Sequence, residues 1–344
     1  MNASVTAYDF GDTFLPDGDG RFTDADSRLP DGSAPADDTL HADDALHAVT
    51  RADATTRTAT DADGRRVAYA EYGDPDGTPL LFLHGTPGSR LLGALYDRTA
   101  RRRGVRVLAP DRPGYGASTP WPTRSLVDAG AFLVPVLDDA GVDRARVVGF
   151  SGGGPHALAF AATHGGRVTT VDAVGGAVPP AVQSTTPTVQ RLLGTMASRT
   201  PRLLGAMLRG QRWVVERTDA SAVVSQYTSA DGDPVPEPVA ELVGRDFVEA
   251  LARSRSGVVV ESRLHAAEWG SDLDRVSAPV RLWHGDRDTN VPVGGARRLA
   301  DRLPDGRLTV LDGADHLGSL LRSRAHVLDR DGDQPSDSTG TGDG

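Results

Sequence analysis

The chain has 344 residues, of which 47 are acidic and 37 basic, giving a formal net charge of −10, and it contains no cysteine. The missing cysteine excludes disulfides, thiolate metal sites and cysteine catalysis. All of the basic residues are Arg, 40 of the acidic ones are Asp, and Lys and Ile are absent, a skew that indicates a GC-rich genome and raises the hypothesis of a halophilic source.

The acidity is concentrated at the two ends of the chain. Residues 1–56 hold 12 Asp and 3 Arg, a net −9, and residues 329–344 hold 5 Asp and 1 Arg, a net −4, which leaves +3 for residues 57–328. Both ends lack a sustained apolar period. They are therefore predicted to be a disordered acidic N-terminal arm (1–56) and a disordered acidic C-terminal tail (329–344), and only the composition is left to support a halophilic source.

No targeting or membrane segment is visible in the sequence. The first residues show neither the basic region nor the 7–15-residue apolar stretch of a secretory signal. No apolar run approaches the roughly 20 residues that a membrane-spanning helix needs. The chain is therefore expected to be cytoplasmic, without a membrane span.

Between residues 57 and 328, short apolar runs alternate with longer amphipathic ones, a pattern that predicts βαβ units and a mostly parallel sheet flanked by helices. The predicted strands, in chain order, are Arg66–Tyr72, Pro79–His84, Val105–Ala109, Arg146–Phe150, Val168–Ala173, Val280–Trp283 and Leu308–Leu311. The predicted helices among them are Ser89–Arg103, Ser125–Ala140, Gly152–His164, Gly294–Arg302 and a last one from about Leu317.

The alternation breaks at residues 178–276, where only helical periods occur. These periods cover Val189–Ala197, Pro201–Val214, Val239–Arg253 and Val258–Trp269. The segment is interpreted as a helical cap, inserted after the strand that follows the Gly152–His164 helix. It divides the α/β core into residues 57–177 and 277–328.

Ser151 lies in a G-x-S-x-G pattern, Gly149-Phe150-Ser151-Gly152-Gly153, where a predicted strand ends and a predicted helix begins. Small neighbours let the backbone pass closely at such a turn, and the amide N–H after the serine points at the reacting carbonyl oxygen. The pattern alone is a weak signal in a chain with 40 Gly. Its position between a strand and a helix makes it a candidate nucleophile turn.

A serine hydroxyl needs a base, and the base needs a third group that fixes its tautomer. Asp288 follows the predicted strand Val280–Trp283, and His316 follows the predicted strand Leu308–Leu311. The chain order Ser, Asp, His is that of α/β hydrolases rather than of chymotrypsin or subtilisin.

With these motifs in order, the chain resembles the cap-containing branch of the α/β-hydrolase superfamily over about residues 57–328. His84-Gly85-Thr86-Pro87-Gly88 resembles the H-G-x-P-G oxyanion turn of that family, and residues 111–118 resemble its D-x-x-G-x-G-x-S turn. Gly285-Asp286-Arg287-Asp288 resembles the acid turn, and Asp315-His316-Leu317 the histidine turn.

The resemblance implies the α/β-hydrolase fold and a role for each matching residue. Ser151 would be the nucleophile, His316 the general base and then acid, and Asp288 the orienting carboxylate. Asp286 lies in the same acid turn and remains an alternative to Asp288. The oxyanion hole would be the backbone N–H groups of Thr86 and Gly152. The supporting residues of the two turns would be His84, Gly85, Gly149 and Gly153.

The expected function is that of a serine hydrolase that cleaves an ester or related carboxylic bond of a small apolar substrate through an acyl-enzyme. A cofactor-free perhydrolase, a carbon–carbon bond hydrolase and an amidase use the same triad and stay open. The alternative of another class is a non-catalytic binding protein on the hydrolase fold. Epoxide hydrolases and haloalkane dehalogenases are disfavoured, because they have an aspartate where this chain has Ser151.

The expected partner is a small-molecule substrate. No cofactor is expected, and no pair of His or carboxylate residues has the spacing of metal ligands. The Arg101-Arg102-Arg103 run has no interleaved aromatic residue, so no nucleic-acid partner is expected. The oligomeric state cannot be read from the sequence.

Overall fold

A computed structural model describes residues 27–29, 47–48 and 56–329, apart from 184–185, 220, 230–232 and 270–271. It contains nine strands in one sheet. The strands are β1 (Ser27–Leu29), β2 (Arg57–Thr60), β3 (Arg66–Gly73), β4 (Thr78–Leu83), β5 (Val105–Pro110), β6 (Ala145–Phe150), β7 (Val168–Val174), β8 (Val280–Gly285) and β9 (Gly306–Leu311).

The strand order across the sheet is β1-β9-β8-β7-β6-β4-β5-β3-β2. Only β3 runs against its two neighbours, and all other adjacent strands are parallel. The carboxyl ends of β4, β6, β8 and β9 therefore meet at one edge of the sheet. Loops that follow parallel strands meet at this edge, which is where ligands bind in open α/β sheets.

The described residues also form ten α-helices. They are α1 (Asp97–Arg102), α2 (Ala129–Asp139), α3 (Gly154–Thr163), α4 (Thr188–Arg199), α5 (Pro201–Val215), α6 (Ser221–Val224), α7 (Glu237–Ala250), α8 (Ser256–Ala266), α9 (Val293–Arg302) and α10 (His316–Leu328). Two apolar cores form, one on each side of the sheet. None of the described helices is long and apolar enough to cross a membrane.

The predicted strands and helices of the core are present, with ends that differ by a few residues. The predicted helix at residues 89–103 differs in kind: its first half is a 3-10 helix, Arg90–Tyr96, and only α1 is α-helical. The tighter 3-10 helix packs closely against the sheet: a Cβ atom at Gly93 would lie 2.7 Å from Ala109 Cβ in β5. The edge strand β2 was not predicted.

The prediction of a disordered N-terminal arm is wrong for the residues of the arm that the structure describes. Residues 27–29 form β1 and pair in parallel with β9, and Arg28 forms an ion pair with Asp312 at 3.0 Å. Further along, His47 Nε2 lies 2.6 Å from the buried Asp97, and Ala48 is only 2% exposed. The rest of the predicted arm and residues 330–344 of the predicted tail lie outside the described residues.

The segment predicted to be a helical cap contains α4 to α8, and its described residues form no strand between β7 and β8. It is called the helical insertion (178–276) below. Two of its helices contact the core close to the carboxyl edge of the sheet: α7 packs against the 3-10 helix Arg90–Tyr96, and Gly257 in α8 lies against Tyr115 in the loop after β5.

Candidate active site

Ser151 lies at the tip of the turn that joins β6 to α3. A short 3-10 helix, Ser151–Gly153, makes the connection, and Ser151 has a φ of +51°. It is the sole non-glycine residue with positive φ in the described part of the chain. Backbone strain of this kind costs on the order of 1–3 kcal/mol and is concentrated at functional sites. The strained turn presents the serine hydroxyl at the carboxyl edge of the sheet.

The glycines of the G-x-S-x-G pattern are required by close approach of the backbone. A side chain at Gly149 would lie 2.7 Å from the carbonyl of Gly153, and one at Gly153 would lie 2.3 Å from the carbonyl of Leu83. A side chain at Gly152 would lie 2.2 Å from Thr86 Oγ1. Distances below 3.0 Å leave no room for a Cβ atom. The pattern therefore brings the serine turn against the end of β4.

The structure brings Ser151, His316 and Asp288 together in the predicted order. His316 Nε2 lies 2.9 Å from Ser151 Oγ, and His316 Nδ1 lies 2.7 Å from Asp288 Oδ2. Burial alone would raise the pKa of Asp288, but the charge and hydrogen bond of His316 outweigh it and the pKa lies below its ordinary value. An ionised Asp288 accepts from Nδ1–H, so Nε2 is free to accept the proton of the serine.

The backbone of the acid turn holds Asp288 in place. Asp288 Oδ1 accepts hydrogen bonds from the amides of Asn290 and Val291, both at 2.9 Å. Asp286 is exposed and points elsewhere, since its Oδ1 accepts from the amide of Gly313 at 2.7 Å. Asp315, predicted to be a turn residue, caps the N-terminus of α10 by accepting from Gly318 N at 2.8 Å. Of these three carboxylates, Asp288 contacts His316.

His84 and Gly85 lie in the turn that follows β4 (84–89), called the β4 turn below. His84 is fully buried, and burial together with Arg112 holds its pKa well below the ordinary value, so the ring is neutral. Its Nε2 accepts from the amide of Arg112 at 3.1 Å, and its Nδ1 donates to the carbonyl of Gly85 at 2.8 Å. These bonds occupy both ring nitrogens and connect the β4 turn to Arg112 in the loop after β5.

Thr86 and Gly152 face each other across the front of Ser151. Both line the same pocket as Ser151. Within the described part of the chain, neither backbone amide donates a hydrogen bond to a backbone carbonyl or a side chain. Two unpaired N–H groups next to a serine hydroxyl can stabilise an oxyanion that forms there.

The pocket in front of Ser151 is a cavity of about 110 Å³ between the core and the helical insertion. Its floor is made by the serine turn and the β4 turn, and the insertion supplies most of its wall. The described lining residues carry no arginine and no carboxylate: they are Thr86, Ser151, Gly152, Ala177, Val178, Gln183, Thr186, Gln190, Leu193, Ser262, His265 and Ala266. Burial lowers the pKa of His265 to about 4, so its imidazole is neutral at pH 7.

Two buried carboxylates of the helical insertion were missed by the sequence analysis. Glu261 is 0% exposed and pairs with Arg112 and Arg124, each at 2.7 Å. Burial alone would raise its pKa, but the guanidinium of Arg112 and its other cationic neighbours hold the pKa well below the ordinary value. Asp246 is 4% exposed and accepts from Ser89 N at 2.8 Å and from Ser89 Oγ at 2.6 Å. Neither residue lies in a local motif.

Asp246 should make the folding stability depend on pH. Burial raises its pKa from 3.8 to about 7, so the folded protein binds this proton more tightly than the unfolded chain. Its contribution to stability is therefore present at low pH and is lost as the pH rises through about 7. We expect Asp246→Asn, which has no proton to lose, to gain about 2 kcal/mol in the free energy of unfolding relative to wild type between pH 5 and pH 8.

Denaturant unfolding of wild type and Asp246→Asn at the two pH values measures this difference. Glu249→Gln, on the same helix and in an ion pair with Arg90, is the matched control. The free-energy difference between that control and wild type should change little with pH. An equal pH dependence in Asp246→Asn and wild type would contradict the raised pKa.

The fold and the site together define a class of protein. A mostly parallel sheet carries a serine on a strained turn after a central strand, and the aspartate and histidine come from the turns after two later strands. A family model for the α/β hydrolase fold matches residues 78–323. The chain belongs to the α/β hydrolase family, and it is a serine hydrolase.

Curated relatives agree with this assignment. The chain is 25% identical over 270 residues to an uncharacterised hydrolase, YcgS, of Bacillus subtilis, with 77% of this chain and 93% of the relative covered. It is 27% identical over 259 residues to a 2-hydroxy-6-oxononadienedioate/2-hydroxy-6-oxononatrienedioate hydrolase of Cupriavidus pinatubonensis, with 72% and 83% covered. Among solved structures, a thermophilic esterase from Thermogutta terrifontis superposes with a TM-score of 0.61 at 20% identity, with 80% and 96% covered, which shows a shared fold.

Proposed function

We propose that the chain hydrolyses small carboxylic esters through an acyl-enzyme on Ser151. The observation that carries the proposal is the continuous set of contacts from Asp288 to His316 to Ser151, at 2.7 and 2.9 Å. His316 takes the proton of Ser151 as its Oγ attacks the ester carbonyl, and then gives that proton to the departing alcohol. Water attacks the acyl-enzyme in the second half, again with His316 as base, and releases the acid.

Two backbone amides and one carboxylate complete the proposed mechanism. The N–H groups of Thr86 and Gly152 stabilise the oxyanion of both tetrahedral intermediates. Asp288 fixes the tautomer of His316 and stabilises the imidazolium that forms during each attack. These three groups act where charge develops, so they favour the transition state over the bound ester.

The helical insertion is proposed to act as a cap over Ser151. It contributes Gln183, Gln190, Leu193, Ser262 and His265 to the wall of the pocket. A wall of mixed apolar and neutral polar groups favours an uncharged substrate, because a charged group would lose its water without gaining an ionic partner. The cap is thereby the part of the chain that sets substrate size and polarity.

Carbon–carbon bond hydrolysis of a dicarboxylate is less well supported. The Cupriavidus relative is named for dioate substrates, which carry two carboxylates. None of the described residues that line the pocket carries a positive charge, and the nearby Arg112 and Arg124 are both paired with Glu261. A perhydrolase or amidase activity uses the same groups, and peracid and amide assays beside the ester assay would detect either one.

The volume of the pocket predicts a preference for short acyl chains. A cavity of about 110 Å³ is smaller than the apolar cavity of about 150 Å³ that holds benzene. We expect kcat/KM for methyl acetate and methyl propionate to exceed that for methyl decanoate by at least tenfold, since the longer chain does not fit without moving the insertion. Initial rates on a series of methyl esters from two to ten acyl carbons, followed by titration of the released acid, test this. A maximum at eight or ten carbons would contradict the proposed substrate size.

A further inference from the structure

The β4 turn is a loop, so no strand or helix fixes the direction of its amides. A loop amide can serve as an oxyanion donor only if other groups hold it in position, because a displacement of about 1 Å costs on the order of 100-fold in rate. The contacts that hold this turn come in large part from the helical insertion. Two buried carboxylates, on two different helices, make them.

Glu261 in α8 holds the middle of the turn. Its Oε2 accepts from Thr86 Oγ1 at 2.5 Å, from Arg112 at 2.7 Å and from the hydroxyl of Tyr115 at 2.8 Å. Arg112 in turn donates to the carbonyl of His84, to the carbonyl of Gly85 at 3.0 Å and to Thr86 Oγ1 at 3.1 Å. Glu261 therefore contacts Thr86 both directly and through an arginine whose other donors hold the two residues before it.

Asp246 in α7 holds the far end of the turn. Its Oδ1 accepts from Ser89 N at 2.8 Å, from Ser89 Oγ at 2.6 Å and from Leu92 N at 3.2 Å. These donors lie at the end of the turn and in the 3-10 helix that follows it. Three hydrogen bonds to one oxygen, two from Ser89 and one from Leu92, fix the path of the turn after Thr86.

Stability alone is a poor explanation for these two carboxylates. Burying a charge or a polar group costs free energy, and apolar residues of similar volume often stabilise a buried interface equally well or better. Here both groups are 4% exposed or less, and both are directed at the same short turn. Hydrogen bonds to fixed atoms define the orientation of the backbone, and apolar contacts do not.

We propose that Glu261 and Asp246 are positioning residues that align the Thr86 amide with the oxyanion, so that the oxyanion hole is complete only while α7 and α8 are docked on the core. The inference rests on the proposed function, because it takes Thr86 N–H as an oxyanion donor. It gives the helical insertion a part in the chemical step in addition to its contribution to the wall of the pocket. Neither side chain lines the pocket in front of Ser151.

A positioning role predicts a loss that is specific to the transition state. In Glu261→Gln the size is kept, but the charge that holds Arg112 and Arg124 is lost. We expect kcat to fall by 10- to 100-fold with KM changed by less than about threefold, since the ground state gains little from the oxyanion hole. The affinity for a trifluoromethyl ketone, whose serine adduct carries the same oxyanion, should fall by the same factor as kcat/KM.

Asp246 offers a second, independent pair of variants. Asp246→Ala removes the acceptor of all three hydrogen bonds, and we expect it to lower kcat by about tenfold or more. In Asp246→Asn the charge is removed, but an oxygen remains that can accept from Ser89 and Leu92. The asparagine variant should therefore recover most of the activity that the alanine variant loses, which a role based on charge alone would not allow.

A double-mutant cycle tests the direct contact between the insertion and Thr86. Thr86→Val removes the hydroxyl that donates to Glu261 and leaves the backbone amide in place. If Glu261 acts on Thr86, the double variant Thr86→Val/Glu261→Gln should lose less kcat than the product of the two single losses. Losses that multiply would show that Glu261 acts through other groups, and would overturn this part of the proposal.

Asp172→Asn is the matched control for general destabilisation. Asp172 is also 0% exposed and pairs with Arg281 at 2.8 Å, but it lies in β7 and does not contact the β4 turn. All variants are assayed at a temperature where circular dichroism shows them folded. The control should keep kcat within about twofold of wild type although its melting temperature falls.

The outcomes separate this inference from the proposed function. If Glu261→Gln and Asp246→Ala keep kcat and the affinity for the trifluoromethyl ketone, or lose them only as far as Asp172→Asn does, the positioning role is wrong while the serine mechanism stands. If Ser151→Ala keeps wild-type hydrolysis, the proposed function itself is wrong. A loss confined to KM would assign the two carboxylates to substrate binding and would also overturn the inference.

Discussion

Replacing Ser151 with alanine is expected to lower ester hydrolysis by about 10⁴-fold or more and to abolish covalent labelling by a fluorophosphonate. The reason is that its Oγ, 2.9 Å from His316 Nε2, is the atom that forms the acyl-enzyme in the proposed mechanism. The fold should remain. Alanine meets the same strain as serine at a φ of +51°, and the variant loses no backbone hydrogen bond.

Mass spectrometry of the labelled protein identifies the modified serine. Ser262 lines the same pocket, so Ser262→Ala is the matched control and should still be labelled on the peptide that contains Ser151. Circular dichroism and the melting temperature show whether each variant is folded. Labelling that persists in Ser151→Ala, or that disappears in Ser262→Ala, would place the nucleophile elsewhere.

In the acid turn, Asp288→Asn should lower kcat by about 10³- to 10⁴-fold, whereas Asp286→Asn should stay within a few-fold of wild type. The amides of Asn290 and Val291 both donate to Oδ1 of residue 288, so they would hold the amide oxygen of an asparagine in that position. The NH₂ group would then face His316 Nδ1. A donor there forces the proton of His316 onto Nε2, and a protonated Nε2 cannot accept the proton of Ser151.

The two variants are matched because each replaces a carboxylate of the same turn with its amide. Steady-state rates of both on a short ester give the comparison, and crystal structures or melting curves exclude a collapse of the turn. Asp286 Oδ1 accepts a hydrogen bond from Gly313 N, and the side-chain oxygen of an asparagine at this position can accept the same bond. A larger loss in Asp286→Asn would transfer the role of the orienting carboxylate to that residue.

The core of the fold could be predicted because its signals are local. Each strand of β4 to β9 is a short apolar run, and the helices between them have amphipathic periods. The helices α4, α5, α7 and α8 of the insertion were predicted for the same reason. β1 was missed because its residues, Ser27–Leu29, carry no apolar run. Their strand geometry depends on hydrogen bonds to β9, which lies far away in the sequence.

The residues of the site also fall into those that local sequence signals could predict and those that they could not. Ser151 lies in a motif with its own turn geometry, and Asp288 and His316 each follow a predicted strand, so parallel strands bring all three to one edge. Glu261 and Asp246 have no such neighbours. Their partners, Arg112 and Ser89, are 149 and 157 residues distant along the chain. These carboxylates face the β4 turn only because α7 and α8 pack on the core, and no local sequence signal indicates that packing.

The pairing of β1 with β9 affects how the sheet is protected and when it is completed. A strand at the edge of a sheet can pair with a strand of another molecule, and β1 occupies that position beside β9. The contact between Arg28 and Asp312 spans 284 residues, so it can form only after all the residues between them have been synthesised. Until β1 pairs with β9, the outer side of β9 can pair with a strand of another molecule; once paired, the exposed edge on this side is β1, a strand of 3 residues, and very short edge strands limit such pairing.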